Sequence, residues 1–469
     1  MTDVTALDLT EVAAQIRDGT LRSVDVTNAV LKRAHTEQVR INCFLEFDDE
    51  GALRTAEQAD RARARGDALG PMHGVPLAHK DMFNIAGRPI RYGSTVRGAH
   101  VPQTTAAVIE RLAAAGAVRI GALNMAEFAL GPTGHNAIWG DCRNGLDAKY
   151  MAGGSSSGSG AAVAARACYG SFGSDTGGSV RIPAAANGVV GMKPTYGRIS
   201  RFGSMRLAPS IDVLGPLARS VRDCARLLGV VAGHDSRDPQ SSTLPVPDYE
   251  SEVGRSIQGL RIGVPRNYFF DAASDDVRAA MQTSLDGLRS QGANISELEV
   301  PGAQWLAELS RAIVYPEAAG LHAHWLRERG EVYSPQVRLR ASTGIGIPSS
   351  IYMEALLLRM PLLERLVTEV FGRCDVLHTP TLPIPTPTLA EVDVGGGTAM
   401  WQTVSRLVSC TAPINFLGLP AISVPAALAN NGMPTSVQLV GRPFSEALLF
   451  RVAAAHERCQ PVVTGIPRP

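Results

Sequence analysis

Residues 153–160 read GGSSSGSG, which is either slack chain or a built loop. Glycine and serine at that density bury almost no side chain, and composition alone assigns such a run to a flexible linker. The next seven residues, AAVAARA (161–167), are strong helix formers without proline. The serines therefore lead directly into a regular element, and a loop that ends on a helix points free backbone N–H groups outward. The stretch has to be judged with its neighbours.

Two neighbours turn it toward chemistry. Downstream lies SDTGGSVRIP (174–183), where a second glycine pair stands before Ser179. Upstream, GVPLAHKDMF (74–83) is an apolar, strand-like run that delivers Lys80 beside Asp81. An arbitrary lysine is a solvated surface group. Here Val75, Pro76, Leu77, Ala78, Met82 and Phe83 carry the ammonium into the interior, where desolvation lowers its pKa and the neutral amine becomes a competent base. A lysine and two serines then form a relay for amide cleavage. A serine hydroxyl needs a base to become nucleophilic, and an intermediate serine can pass the proton because it both donates and accepts. The glycines of DTGGS let backbone N–H groups approach a developing oxyanion with no side chain in the way.

These segments resemble the signature of the amidase signature family of Ser-Ser-Lys hydrolases. Its two serine motifs are matched by GGSSSGSG and SDTGGSVRIP, and the step from Ser155 to Ser179 is 24 positions, as in the family. The likeness extends through RNGLDAKYMAGG, VVGMKPTYGRIS, GLPAISVP and SVQLVG, almost the whole chain. It implies one α/β/α domain over 1–469 with a large mixed twisted sheet, a signature core over about 70–220, and variable pocket segments at about 125–140 and 310–400. It also implies that Ser179 is the acylated nucleophile, Ser155 the bridging serine on a cis peptide bond, and Lys80 the base. The N–H groups of Thr176, Gly177, Gly178 and Ser179 would form the oxyanion hole. Ser174, Asp175 and Arg181 would hold the two loops. Ser157 and Ser174 depart from the usual glycine and threonine, and Ser157 puts the backbone path of the first loop in question.

Composition agrees with a large enzyme. The 469 residues are 45% hydrophobic, enough for a sizeable core, and 45 Lys+Arg nearly balance 44 Asp+Glu with no basic run suited to nucleic acid. The start, MTDVTALDLTEV, is no secretory signal, and FLGLPAISVPAALA (416–429) is too short to span a bilayer. Seven scattered cysteines without C-x-x-C argue against a disulfide framework or zinc site, so a cytoplasmic protein without cofactor or metal is expected, as monomer or homodimer. Helix and strand patterns alternate. TTAAVIERLAAAG (104–116) offers a threonine-capped helix before AVRIGAL. RIGVP, DDVRAAMQTSLDGLRSQG and NISELEVP read strand, helix, strand, with Val277, Met281, Leu285 and Leu288 on one face. Such alternation favours an α/β sheet with helices on both faces. Residues 234–256 are polar and read as a surface connection.

Rival readings exist. Gly154, Ser156 and Gly158 also satisfy G-x-S-x-G, the nucleophile elbow of an α/β-hydrolase esterase, although NGLDAKYMA before it is a poor strand. A non-catalytic scaffold subunit would not need intact Lys80, Ser155 and Ser179. His79 should face away from a site that Lys80 faces, because strand neighbours alternate. His322 and His324 read as helix surface without a third metal ligand. The segments 125–140 and 341–360 mix apolar and small residues with few charges. Met125, Phe128, Gly131 and Ile351 are thus expected to line a pocket for a neutral aryl or alkyl amide, with carbamates (urethanes) and esters close behind. The alternative within the family is the A-type component of a glutamine-dependent tRNA amidotransferase, which also carries the lysine and both serines.

Overall fold

A computed structural model describes residues 3–98 and 100–460. Eleven strands are recognised among them: β1 (Phe44–Phe47), β2 (Pro76–Lys80), β3 (Val118–Leu123), β4 (Gly170–Asp175), β5 (Val190–Lys193), β6 (Val213–Ala218), β7 (Arg261–Pro265), β8 (Asn294–Leu298), β9 (Val376–Pro380), β10 (Ala421–Leu428) and β11 (Pro434–Val440). Eight form one sheet in the order β4-β6-β5-β10-β11-β9-β7-β8, and the other three form a small sheet, β1-β3-β2. The large sheet is mixed: β9, β7 and β8 run parallel, and the other neighbours are antiparallel. β4, β5, β6, β9 and β11 are buried at every residue, as expected of strands covered by helices on both faces. Leu77, Phe172, Met192, Leu217, Val424 and Val437 join both sheets in one apolar core.

The small sheet is not foreseen by the sequence pattern, yet it positions Lys80. β2 lies against β4, where the Tyr169 N–H donates to the Pro76 carbonyl at 3.3 Å, so a lysine at the end of β2 reaches the start of the second serine loop. Val277, Met281, Leu285 and Leu288 are buried along the Asp275–Ser290 helix, as their spacing predicts.

Two expectations fail in the fold, and one is refined. The helix after TT starts at Ala107 with Ala106 at its cap and no side-chain cap bond; the Thr105 hydroxyl instead accepts from the Ala86 N–H at 3.1 Å. Residues 234–256 are mostly exposed, as a surface connection should be, and two buried carboxylates pin them: Asp235 accepts from Ser200 Oγ at 2.8 Å and Asp238 from the Arg201 N–H at 2.8 Å. His322 is no surface residue. It is buried within the Ala303–Arg329 helix, 2.8 Å from the Tyr333 hydroxyl and edge-on to Phe128, while its neighbour His324 is exposed. Among the described residues no helix is long and apolar enough to cross a membrane.

Candidate active site

β2 separates its last two side chains. His79 turns its Nδ1 to the Phe172 N–H at 3.3 Å and packs near the Phe83 and Phe172 rings. Lys80 turns the opposite way, and its Nζ lies 2.8 Å from Ser155 Oγ and 2.9 Å from Ser174 Oγ. Lys80 is 1% exposed. Burial pushes its pKa down to about 7 against the opposing pull of Asp212 and Asp175, so the neutral amine is well populated near neutrality.

The GGSSSGSG run is no linker. Ser157–Ala164 is helical and buried throughout, and a Cβ at Gly158 would stand 2.4 Å from the Cys43 carbonyl, so the glycine allows the loop to pack against the chain entering β1. The Gly154–Ser155 peptide is cis. Ser157 opens the helix, and its hydroxyl donates to the Asn124 carbonyl at 3.4 Å. The Ser156 N–H donates to the Ser179 carbonyl at 3.3 Å, which ties the first serine loop to the second.

The second loop is held from below by an ion pair. Asp175 and Arg181 are fully buried, with Nη2–Oδ1 at 2.8 Å and Nε–Oδ2 at 3.0 Å. Burial raises the Asp175 pKa, but Arg181 more than offsets it and holds the carboxyl at about 2. That carboxylate also accepts from the N–H groups of Gly178 at 2.9 Å and Val180 at 3.1 Å and from Asn415 Nδ2 at 2.8 Å. Arg181 in turn reaches Asn415 Oδ1 at 2.6 Å and Gln438 Oε1. Gly178 has φ +130°, and a Cβ there would lie 2.3 Å from Thr411 Oγ1. Because its N–H is committed to Asp175, Gly178 is withdrawn from the expected set of oxyanion donors. Thr176 is fixed through its side chain, which donates to Asp212 Oδ1 at 2.6 Å, while Asp212 Oδ2 accepts from the N–H groups of Leu207 at 2.7 Å and Ala208 at 2.9 Å. Asp212 and Asn415 escape sequence reasoning, since each stands well outside the SDTGGSVRIP run it supports and belongs to no motif, and Gln438, although within SVQLVG, carries no sign there of its contact with Arg181.

Ser179 is half-buried and faces a cavity of about 70 Å³ that it lines with Gly131, Thr176, Gly177, Tyr315 and Val404. Leu130, Gly131, Pro132, Arg340 and Val404 also line an outer chamber of about 600 Å³. Of the four pocket residues read from sequence, Gly131 is in place. Met125 is buried beneath it, with its carbonyl accepting from Asn136 Nδ2 at 2.8 Å. Phe128 faces a different cavity beside Tyr92 and Trp325, and Ile351 is 46% exposed on the Ser349–Glu369 helix. The expected scarcity of charge fails as well. Two arginines from outside the 125–140 and 341–360 segments, Arg311 and Arg340, line the cavity.

The nucleophile-elbow reading finds no support in the geometry. Ser156 is fully buried, and its hydroxyl donates to the Ser174 carbonyl at 3.3 Å. Downstream, His378 and His456 share Ser284 at 2.9 Å each and make no bond to it. Among the described residues no group of His, Cys, Asp and Glu could hold a metal ion.

Residues 25–450 match the family model named Amidase. The chain belongs to the amidase family. This amidase is 38% identical to the A-type component of the glutamyl-tRNA(Gln) amidotransferase of Chloroflexus aggregans, over 98% of this chain and 97% of that one. Its identity to the corresponding component from Moorella thermoacetica is 39%, covering 93% of each chain. Among solved structures, a chain of the vestigial protein complex that reveals the evolutionary origins of an s-triazine catabolic enzyme is 34% identical, with TM-score 0.90 over 98% of this amidase and 99% of that chain. A 6-aminohexanoate cyclic dimer hydrolase complexed with substrate superposes with TM-score 0.88 at 27% identity, over 100% of this chain and 99% of that one.

Proposed function

We propose that this amidase cleaves the C–N bond of a small amide through an acyl-enzyme on Ser179. Neutral Lys80 takes the proton of Ser155 as Ser155 takes that of Ser179, and Ser179 Oγ adds to the substrate carbonyl. The N–H groups of Thr176, Gly177 and Ser179 stabilise the oxyanion. Collapse breaks the C–N bond while the proton held on Lys80 returns through Ser155 to the leaving nitrogen. Water, activated by the same relay, then releases the acid and frees Ser179. The observation that carries this reading is the buried Lys80 Nζ at 2.8 Å from Ser155 Oγ, with Ser174 Oγ fixing it from the other side. Carbamates and esters suit the same chemistry. Counting about 10–15 Å³ per water-sized position, the inner cavity admits roughly five, which fits an acyl group of a few heavy atoms better than a large aryl group.

A second reading, glutamine-dependent amidotransfer, is favoured by likeness over a free-standing amidase for neutral amides: relatives at 37–39% identity over nearly the whole chain include A-type components of glutamyl-tRNA(Gln) amidotransferases from several bacteria. In that case the same acyl-enzyme would release ammonia from glutamine for use by a partner protein. A fluorophosphonate followed by peptide mapping tests the shared chemistry. The adduct is expected on the peptide containing Ser179, and an adduct on Ser156 would replace this mechanism with the elbow. Ammonia release from glutamine, measured beside amine release from an anilide, separates the two readings.

A further inference from the structure

Arg340 lines the cavity but takes no part in the acyl-enzyme chemistry. It is 8% exposed, near the C-terminal end of the Pro335–Thr343 helix, and lines both the inner cavity and the outer chamber. Its Nη1 donates to the Leu130 carbonyl at 2.9 Å, which holds the guanidinium over Gly131, where a Cβ would lie 3.8 Å from that nitrogen. Its Nε is buried with no hydrogen-bond partner. Arg311, the other cation of the cavity, forms an ion pair with Glu308 at 2.7 Å, whereas no carboxylate pairs with Arg340 among the described residues. A buried cation without an anion is costly, and a guanidinium with free N–H groups matches a carboxylate through two parallel bonds.

The lining of the inner cavity adds a second constraint. It includes Ile182, Leu207, Val314, Val404 and Val408 but no aspartate or glutamate. A substrate ammonium would enter beside Arg340 without a counter-ion. We propose that Arg340 binds a carboxylate on the acyl part of the substrate, and that the preferred substrate is the monoamide of a dicarboxylic acid bearing no ammonium group. The proposal rests on the Ser179 acyl-enzyme reading above and replaces the neutral acyl group expected from sequence. It sets glutamine, which carries both charges, below its analogue without the amine.

The test compares ammonia release by the full chain from glutaramate, from glutamine, and from 5-methylhexanamide, which replaces the carboxylate by an isosteric apolar group. Wild type is expected to favour glutaramate over 5-methylhexanamide by about 100-fold or more in kcat/KM, and over glutamine by about tenfold or more, because unpaired buried charge discriminates strongly. Arg340→Met should bring the glutaramate to 5-methylhexanamide ratio within about threefold of unity, while Arg340→Lys, which keeps the charge without the fork, should retain an intermediate ratio. Thermal melts of both variants identify a folding defect, and the ratio in Arg340→Lys then decides the matter. Protection gives a readout independent of turnover: glutarate should slow fluorophosphonate labelling of Ser179 in wild type and not in Arg340→Met. A wild-type preference for the neutral amide, or protection by glutarate that survives Arg340→Met, overturns the proposal while labelling of Ser179 leaves the hydrolase reading standing. Loss of labelling at Ser179 would sink both.

Discussion

Lys80 and Lys193 are chemically alike and differently placed. Both are fully buried lysines, and in both desolvation brings the pKa down to about 7. Lys80 ends a strand of the small sheet and faces two hydroxyls. Lys193 ends β5 in the large sheet, where its Nζ donates only to the neighbouring Pro194 carbonyl at 3.1 Å. Burial supplies a neutral amine in both places. Only at Lys80 does it meet a chain of groups that can hand it a proton, so a perturbed pKa marks a base only when the acceptor geometry is also present.

The largest effect expected from this contrast is at the relay itself. Lys80→Ala should lower kcat/KM by about three orders of magnitude or more, since both nucleophile activation and leaving-group protonation fail, whereas Lys193→Met should stay within about tenfold of wild type. Steady-state kinetics on one amide substrate measures both. A comparable collapse at Lys193 would break the comparison.

The pH profile sharpens it. In the proposed relay the neutral amine of Lys80 is the active form, so wild-type kcat/KM should rise with pH and level off above a pKa near 7, and Lys193→Met should keep that rise. A profile that follows Lys193 instead would reassign the base.

Asp212 gives a smaller expected effect. Replacing it with Asn leaves a neutral acceptor for the Thr176 hydroxyl and weakens the hold on an oxyanion donor. A loss of about 10- to 100-fold in kcat with little change in KM is expected, because the interaction matters mainly in the transition state.

The smallest effect is on stability. A lysine whose pKa is about 7 when folded and about 10.4 when unfolded binds fewer protons in the native state between those values, so stability rises with pH across that window and the cost of burial is greatest at and below pH 7. Lys193→Met removes this dependence. Its melting temperature relative to wild type should therefore be higher at pH 7 than at pH 10, which differential scanning fluorimetry resolves.

The sequence alone determined the two serine loops, the alternation of helix and strand, and the separation of His79 from Lys80. These are local matters. A glycine is needed where backbones nearly touch, as at Gly158, or where φ is positive, as at Gly178, and side chains alternate along a strand whatever surrounds it. Tertiary structure decided everything that depends on which distant groups meet. It buried His322 against Phe128, tied Asp235 and Asp238 to Ser200 and Arg201, and spent the Gly178 N–H on Asp175. It also moved the pocket away from Met125, Phe128 and Ile351 and brought Arg340 over Gly131, more than 200 positions away in the chain. Many of this chain's arginines stand in similar helical sequence, and periodicity does not distinguish one that faces solvent from one that faces a cavity. That distinction arises only when helices pack, because packing sets which cation loses its water and finds no carboxylate to replace it.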